Sequence, residues 1–128
     1  MLQDKDNSGL RGGPVVRNST DVQVFAWGTL TWHYSRGLAN SETMTVGECV
    51  LKPGCSNPLH YHPNCDEVLR VETGTINHTF GDQAFELAEG EMIHIPRGIE
   101  HNATNIGSTD AVMFICFSSA DRETVPVS

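Results

Sequence analysis

The chain has 128 residues, 38% of them hydrophobic and 19% charged, a size and composition that fit one globular domain and exclude two full ones. Eight Lys and Arg against sixteen Asp and Glu give a formal charge of -8, and the basic residues stand singly along the chain, so no basic stripe offers a groove to nucleic acid. A chain this long buries roughly two-thirds of the surface it exposes when unfolded. Its core needs no disulfide or metal staple, so a metal bound here is expected to serve chemistry.

In chain order, residues 1–14 form a Gly-, Asp-, Asn- and Ser-rich lead without periodicity, read as a flexible N-terminal segment ahead of a single domain over 15–128. The lead has neither the cationic start nor the apolar run of a secretory leader, and no stretch approaches the roughly 18 apolar residues of a membrane span. A cytoplasmic protein with no membrane partner is expected. Cys49, Cys55, Cys65 and Cys116 are irregularly spaced and never C-x-x-C, which points to free thiols rather than a zinc knuckle.

From Val22 onward, short runs rich in Val, Ile, Thr, Phe and Trp alternate with Gly, Pro, Asn and Asp, the pattern of an all-β sandwich or barrel. Period-two hydrophobicity predicts strands over Val22–Tyr34, Glu42–Leu51, Leu59–His62, Val68–Thr73, Thr75–Phe80, Gln83–Ala88, Met92–Ile95, His101–Asn105 and Ala111–Phe117. Gly81-Asp82 fits a type II′ hairpin turn, with Gly supplying the positive φ. Both faces of Ala111–Phe117 are apolar, so one is expected inside the barrel and the other against a partner.

His60 and His62 are two apart on a predicted strand and so present both imidazoles to one face. Glu67 follows the turn Pro63–Asp66 and can return to the same point, and His101 heads a later strand after Pro96-Arg97-Gly98. Two His and one Glu already make a ligand set for Fe, Mn, Ni, Cu or Zn.

These residues also sit in a longer pattern. Gly54, His60, Tyr61, His62, Glu67 and Gly74, then Gly90, Pro96, Arg97, Gly98, His101 and Asn105, occupy every fixed position of two consecutive motifs. In this the chain resembles the cupin superfamily, in its small single-domain form. The resemblance implies a double-stranded β-helix, or jelly-roll barrel, and a metal shell of His60, His62, Glu67 and His101. Gly54, Gly74, Gly90 and Gly98 fall at predicted turns, where a positive φ is free for glycine.

The remaining candidates are read more plainly. His33, His78 and His94 are expected to be ordinary surface or interface residues, with His94 facing away from an inward Ile93 and Ile95. Tyr61 should point outward, Cys49 should be a small buried core residue, and Leu51, Leu69, Val71 and Ile93 suggest an apolar cavity. In cupins that cleave sulfonium propionates a tyrosine stands two residues after the ligand Glu; here Leu69 does. The run Cys116–Glu123 is similar to the tail of cupins acting on unsaturated sugar acids, which makes Arg122 a candidate carboxylate clamp.

The shell implies one divalent transition metal, Fe, Mn or Ni first and Zn or Cu as further candidates, and a small oxygenated substrate such as a carboxylate, sugar acid or enol. Lyase or isomerase chemistry stands slightly ahead of dioxygenase chemistry, with a non-catalytic ligand or metal sensor as a further alternative. A homodimer is expected from the long apolar first strand, which leaves a sheet edge to be covered.

Overall fold

The computed structural model describes residues 14–128, so most of the N-terminal segment lies outside the described residues. Pro14 is itself docked, its carbonyl accepting a 2.8 Å hydrogen bond from Tyr34 Oη. Eleven antiparallel strands and no helix are found among the described residues: β1 (Asp21–Phe25), β2 (Gly28–Tyr34), β3 (Thr45–Leu51), β4 (His60–Tyr61), β5 (Glu67–Thr73), β6 (Ile76–Phe80), β7 (Gln83–Leu87), β8 (Met92–Ile95), β9 (Ala103–Asn105), β10 (Ala111–Phe117) and β11 (Val125–Pro126). They form a six-stranded sheet in the order β1-β2-β3-β10-β5-β8, a three-stranded sheet β7-β6-β9 and a two-stranded pair β11-β4. Isolated bridges Ser56↔Thr104 and His60↔His101 join the two smaller pieces into one face. The result is the all-β jelly roll that the motifs imply.

Alternation places the core. In β3, β5 and β10 every second residue is buried, so Cys49, Leu51, Leu69, Val71, Met113, Ile115 and Phe117 face the smaller sheet, while Val50, Arg70 and Val112 face out. Register fixes which of them meet: Ile115 pairs with Leu69 and Phe117 with Glu67. The outer face of β10 carries Phe114, which is exposed; no partner covers it in the single chain.

Most predicted strands shift by one residue or none at each end, the expected Glu42–Leu51 starts at Thr45, and three others differ in kind. The predicted Val22–Tyr34 strand is a hairpin, turning at Ala26-Trp27 with Phe25 opposite Gly28. A two-residue turn preserves period-two parity, so the apolar alternation runs through it unbroken; the one local sign is Gly28, where a Cβ would lie 1.8 Å from Val50 O. Leu59–His62 shrinks to His60–Tyr61, and His101 makes a bridge just before β9 rather than starting it. The strand β11 has no pattern to announce it, being two residues that pair with β4.

The Gly81-Asp82 hairpin is present, with Phe80 opposite Gln83 and φ +60° at Gly81. The four motif glycines all have positive φ. Asn105 closes the second motif structurally: its Nδ2 donates to Leu51 O (2.9 Å) and Thr109 O (2.8 Å), bridging the sheets.

Candidate metal centre

The smaller face supplies three imidazoles and the larger sheet one carboxylate. His60 and His101 are locked side by side by reciprocal backbone bonds, His60 N to His101 O at 3.1 Å and His101 N to His60 O at 2.8 Å. His62 follows β4, its carbonyl accepting from Gly98 N at 2.9 Å, so the Pro96-Arg97-Gly98 turn braces the strand that carries the first two histidines. Glu67 opens β5 opposite Phe117. One ligand atom from each of His60, His62, Glu67 and His101 lies within 4.8 Å of the others. All four residues of the predicted shell are brought together.

Backbone carbonyls set the tautomers. Nδ1 of His60 lies 2.7 Å from Pro58 O, Nδ1 of His62 2.8 Å from Glu123 O, and Nδ1 of His101 2.8 Å from Ile99 O. A carbonyl only accepts, so each Nδ1 carries a proton and each Nε2 is turned to the common point, the orientation a metal-bound histidine takes. His62 Nε2 is buried without a hydrogen-bond partner among the described residues, although it sits 3.3 Å from Glu67 Oε1. Leaving such an atom unsatisfied costs about 1–3 kcal/mol, which a metal bond would offset. Three neutral imidazoles and one carboxylate are a donor set for a divalent transition metal. The residues present fit the group.

Charge in the site follows from burial and contact. Burial would by itself raise the Glu67 carboxyl, but the contacts from His101 and His62 reverse this and hold it well below the usual carboxylate range. Burial pulls the other way on His101 too, and its 3.0 Å hydrogen bond to Glu67 Oε1 raises it above the ordinary histidine value. His60 is pushed down to about 4 by burial and by His101. Without a metal, His101 Nε2 and Glu67 Oε1 thus support each other at the point where a metal would stand.

The ligands form the floor of a cavity of about 260 Å³. Its walls are Leu30, Leu69, Met113 and Ile115, and Trp32 and Phe117; its mouth is Phe25 and Trp27, whose rings stack at 4.6 Å and 4°. Of the residues expected to line it, Leu69 does, whereas Leu51 and Val71 are buried in the core away from it and Ile93 faces a separate surface groove. Cys49 is buried as expected and also touches the cavity, its thiol pushed up to about 12 by burial and the nearby Glu67 charge. Cys65 is buried and raised by burial; all four cysteines are free.

Arg122 reaches the cavity. Its guanidinium lies 4.3 Å over the Trp32 ring and 5.2 Å from Phe117, and Nη1 donates to Thr124 Oγ1 at 2.6 Å. No carboxylate pairs with it among the described residues.

His78 corrects the expectation of a surface residue. It is 1% exposed, lines the cavity, stacks on His101 with ring centroids 5.6 Å apart, and turns Nδ1 to Thr79 O at 2.7 Å. Strand parity carried the signal: Ile76 and His78 share a face, and Ile76 is core. His94 is exposed, 3.3 Å from Asp66, and His33 lies on β2 beside Ser19, as ordinary residues. The pairing of Phe25 with Trp27 has no sequence signal beyond Gly28, because the β1–β2 turn interrupts no alternation.

The cupin domain family matches residues 47–117, more than half of the chain and the stretch that holds all four ligands. The chain belongs to the cupin family. Among its relatives are germin-like protein 3-8 of Oryza sativa subsp. japonica, 35% identical over 63% of this chain and 42% of that protein, and germin-like protein subfamily 3 member 2 of Arabidopsis thaliana, 38% identical over 49% and 30%. This cupin thus spans less than half the length of either relative. Similar solved structures include an oxalate oxidase in complex with the substrate analogue glycolate (25% identity, TM-score 0.71, 78% of this chain and 55% of that one) and Bacillus subtilis oxalate decarboxylase (21%, 0.79, 84% and 30%). The second likeness shows the fold alone.

Proposed function

We propose that this cupin is a metal-dependent enzyme acting on a small carboxylate or enol, with one divalent transition metal held by His60, His62, Glu67 and His101. The observation that carries this is the convergence of three imidazoles, each with Nδ1 pinned to a carbonyl, on one buried carboxylate at the floor of a cavity. When bound, the metal supplies Lewis acidity toward a substrate carbonyl or carboxylate oxygen. Arg122 is the carboxylate clamp: Trp32 and Phe117 hold its plane and Thr124 takes one N–H, leaving the rest of the fork for an anion. His78 offers Nε2 as an acceptor to a substrate hydroxyl. Phe25 and Trp27 cover the mouth and limit water.

Lyase or isomerase chemistry is the first form of this proposal. The likeness to oxalate oxidase favours a second, redox form with O₂ as co-substrate, with Fe, Mn and Ni as the candidate metals. We further propose a homodimer through β1, one of the two edge strands of the large sheet, where Val22 and Val24 are exposed.

The test follows O₂ consumption while small acids and enols are offered to Mn-, Fe- and Ni-loaded protein. Turnover without O₂ supports the lyase or isomerase form and O₂-dependent turnover the redox form. Tight ligand binding with no turnover under any metal would replace the enzyme by a sensor.

A further inference from the structure

The polar groups that reach the cavity are few enough to account for one by one. Apart from the four metal-facing residues, the thiol of Cys49 and the two indoles, they are Asn57, His78, Arg122 and Thr124. Thr124 Oγ1 accepts from Arg122 at 2.6 Å, and Asn57 Oδ1 accepts from Ala103 N at 2.8 Å. Besides the metal, a ligand is left with the free side of the Arg122 fork, the Asn57 amide N–H groups, the Thr124 hydroxyl proton and the Nε2 of His78. Apart from the Cys49 thiol and the indole N–H of Trp27, the rest of the lining is hydrocarbon, with Trp32 and Phe117 flanking the cation and Phe25 stacked on Trp27.

A ring hydroxyl placed against such a wall gives up water and gains no partner, which loses roughly tenfold or more in affinity for each one. A hydrocarbon body gains by the same burial. We infer that the site takes a small monocarboxylic acid with an apolar or aromatic body and at most one hydroxyl, its carboxylate facing Arg122, and not a polyhydroxylated acid. This rests on the metal-centre proposal above and names the substrate class for that site. It narrows the candidates left open by the motifs, among which sugar acids stood beside simple acids and enols.

Both tryptophans of the chain line the cavity, so intrinsic fluorescence reads its occupancy directly. Mn-loaded protein is titrated with phenylacetate and with galacturonate, two monoanions of similar size. Phenylacetate is expected to change the emission saturably and to bind about tenfold or more tighter than galacturonate. Arg122→Gln should weaken phenylacetate about tenfold and leave neutral phenylacetamide unaffected, while Arg122→Lys, which keeps the charge without the fork, should fall between.

Equal or tighter binding of galacturonate would overturn the inference, as would phenylacetate binding indifferent to both Arg122 variants. Metal content measured on the same samples separates the two levels. Full metal with no acid bound overturns the substrate class and leaves the metal centre standing. Phenylacetate binding by protein that takes up no metal overturns the centre and supports the cavity's selectivity.

Discussion

His101 Nε2 lies 3.0 Å from Glu67 Oε1, with both side chains nearly free of solvent. His101 also gives its Nδ1 proton to Ile99 O, so this contact needs a second proton on the ring, and the pair is an imidazolium against a carboxylate. A metal at the same point must displace that proton. Folding of the metal-free chain and metal binding therefore draw on the same lone pairs with opposite dependence on pH.

The pair has a defined window in the metal-free protein. Glu67 is held below its ordinary 4.5, so its contribution is present above that value and is lost as pH falls through the folded pKa; His101 is raised above 6.5, so its contribution is present below 6.5 and is lost as pH rises through the raised value. In EDTA-treated protein, urea unfolding should show Glu67→Gln less stable than wild type by about 3 kcal/mol between these limits, with the difference shrinking on either side. His60, pushed down to about 4 by burial and by His101, lowers stability further as pH falls. A difference independent of pH would contradict the assignment. Affinity for Mn(II) should run the other way and weaken as pH falls below the raised His101 value.

The C-terminal tail is part of the centre. Asn64 donates from Nδ2 to Asp121 O (2.9 Å) and accepts from Glu123 N (3.0 Å), fixing the Glu123 carbonyl that takes the His62 Nδ1 proton. Asn64→Ala should retain one metal per chain and weaken its affinity by about tenfold, as loss of an orienting partner does. Wild-type affinity measured by competition with a chelator would show that the tail does not orient His62.

The buried thiols should be inert. Burial raises Cys65 against the pull of Arg122, and burial pushes Cys49 up to about 12. Alkylation of the native protein at pH 8 followed by peptide mass spectrometry should leave both unmodified, and all four cysteines should react after unfolding. Rapid native labelling of Cys65 would contradict its burial.

Size-exclusion chromatography tests the dimer. The wild type should elute at twice the chain mass, and Val24→Lys, which puts a charge on the free edge of β1, should shift it to one. A wild-type monomer would contradict it.

Much of this was legible in the sequence for physical reasons that differ by residue. His60, His62, Glu67 and His101 lie near turns that need a positive φ only glycine adopts freely, or a proline, so spacing along the chain translates into position in space. Alternation located β3, β5 and β10 because one of their faces is buried. The same alternation conceals the β1–β2 turn, since Phe25 at the end of β1 and Trp27 in the turn are both apolar and line the cavity. His78 was within reach of parity once Ile76 is taken as core. The carbonyls of Pro58, Ile99 and Glu123 that set the tautomers carry no side-chain signal, and the last comes from 61 residues away.

The most direct test of the central claim is metal content by elemental analysis of protein loaded with Mn(II) and desalted, for wild type and for His60→Ala, Glu67→Gln and His101→Ala. One metal per wild-type chain is expected. Each variant should hold far less while keeping its β-sheet circular dichroism, because the core does not depend on the metal. Variants that retain the wild-type stoichiometry, or a folded wild type that takes up no divalent transition metal, would contradict the account.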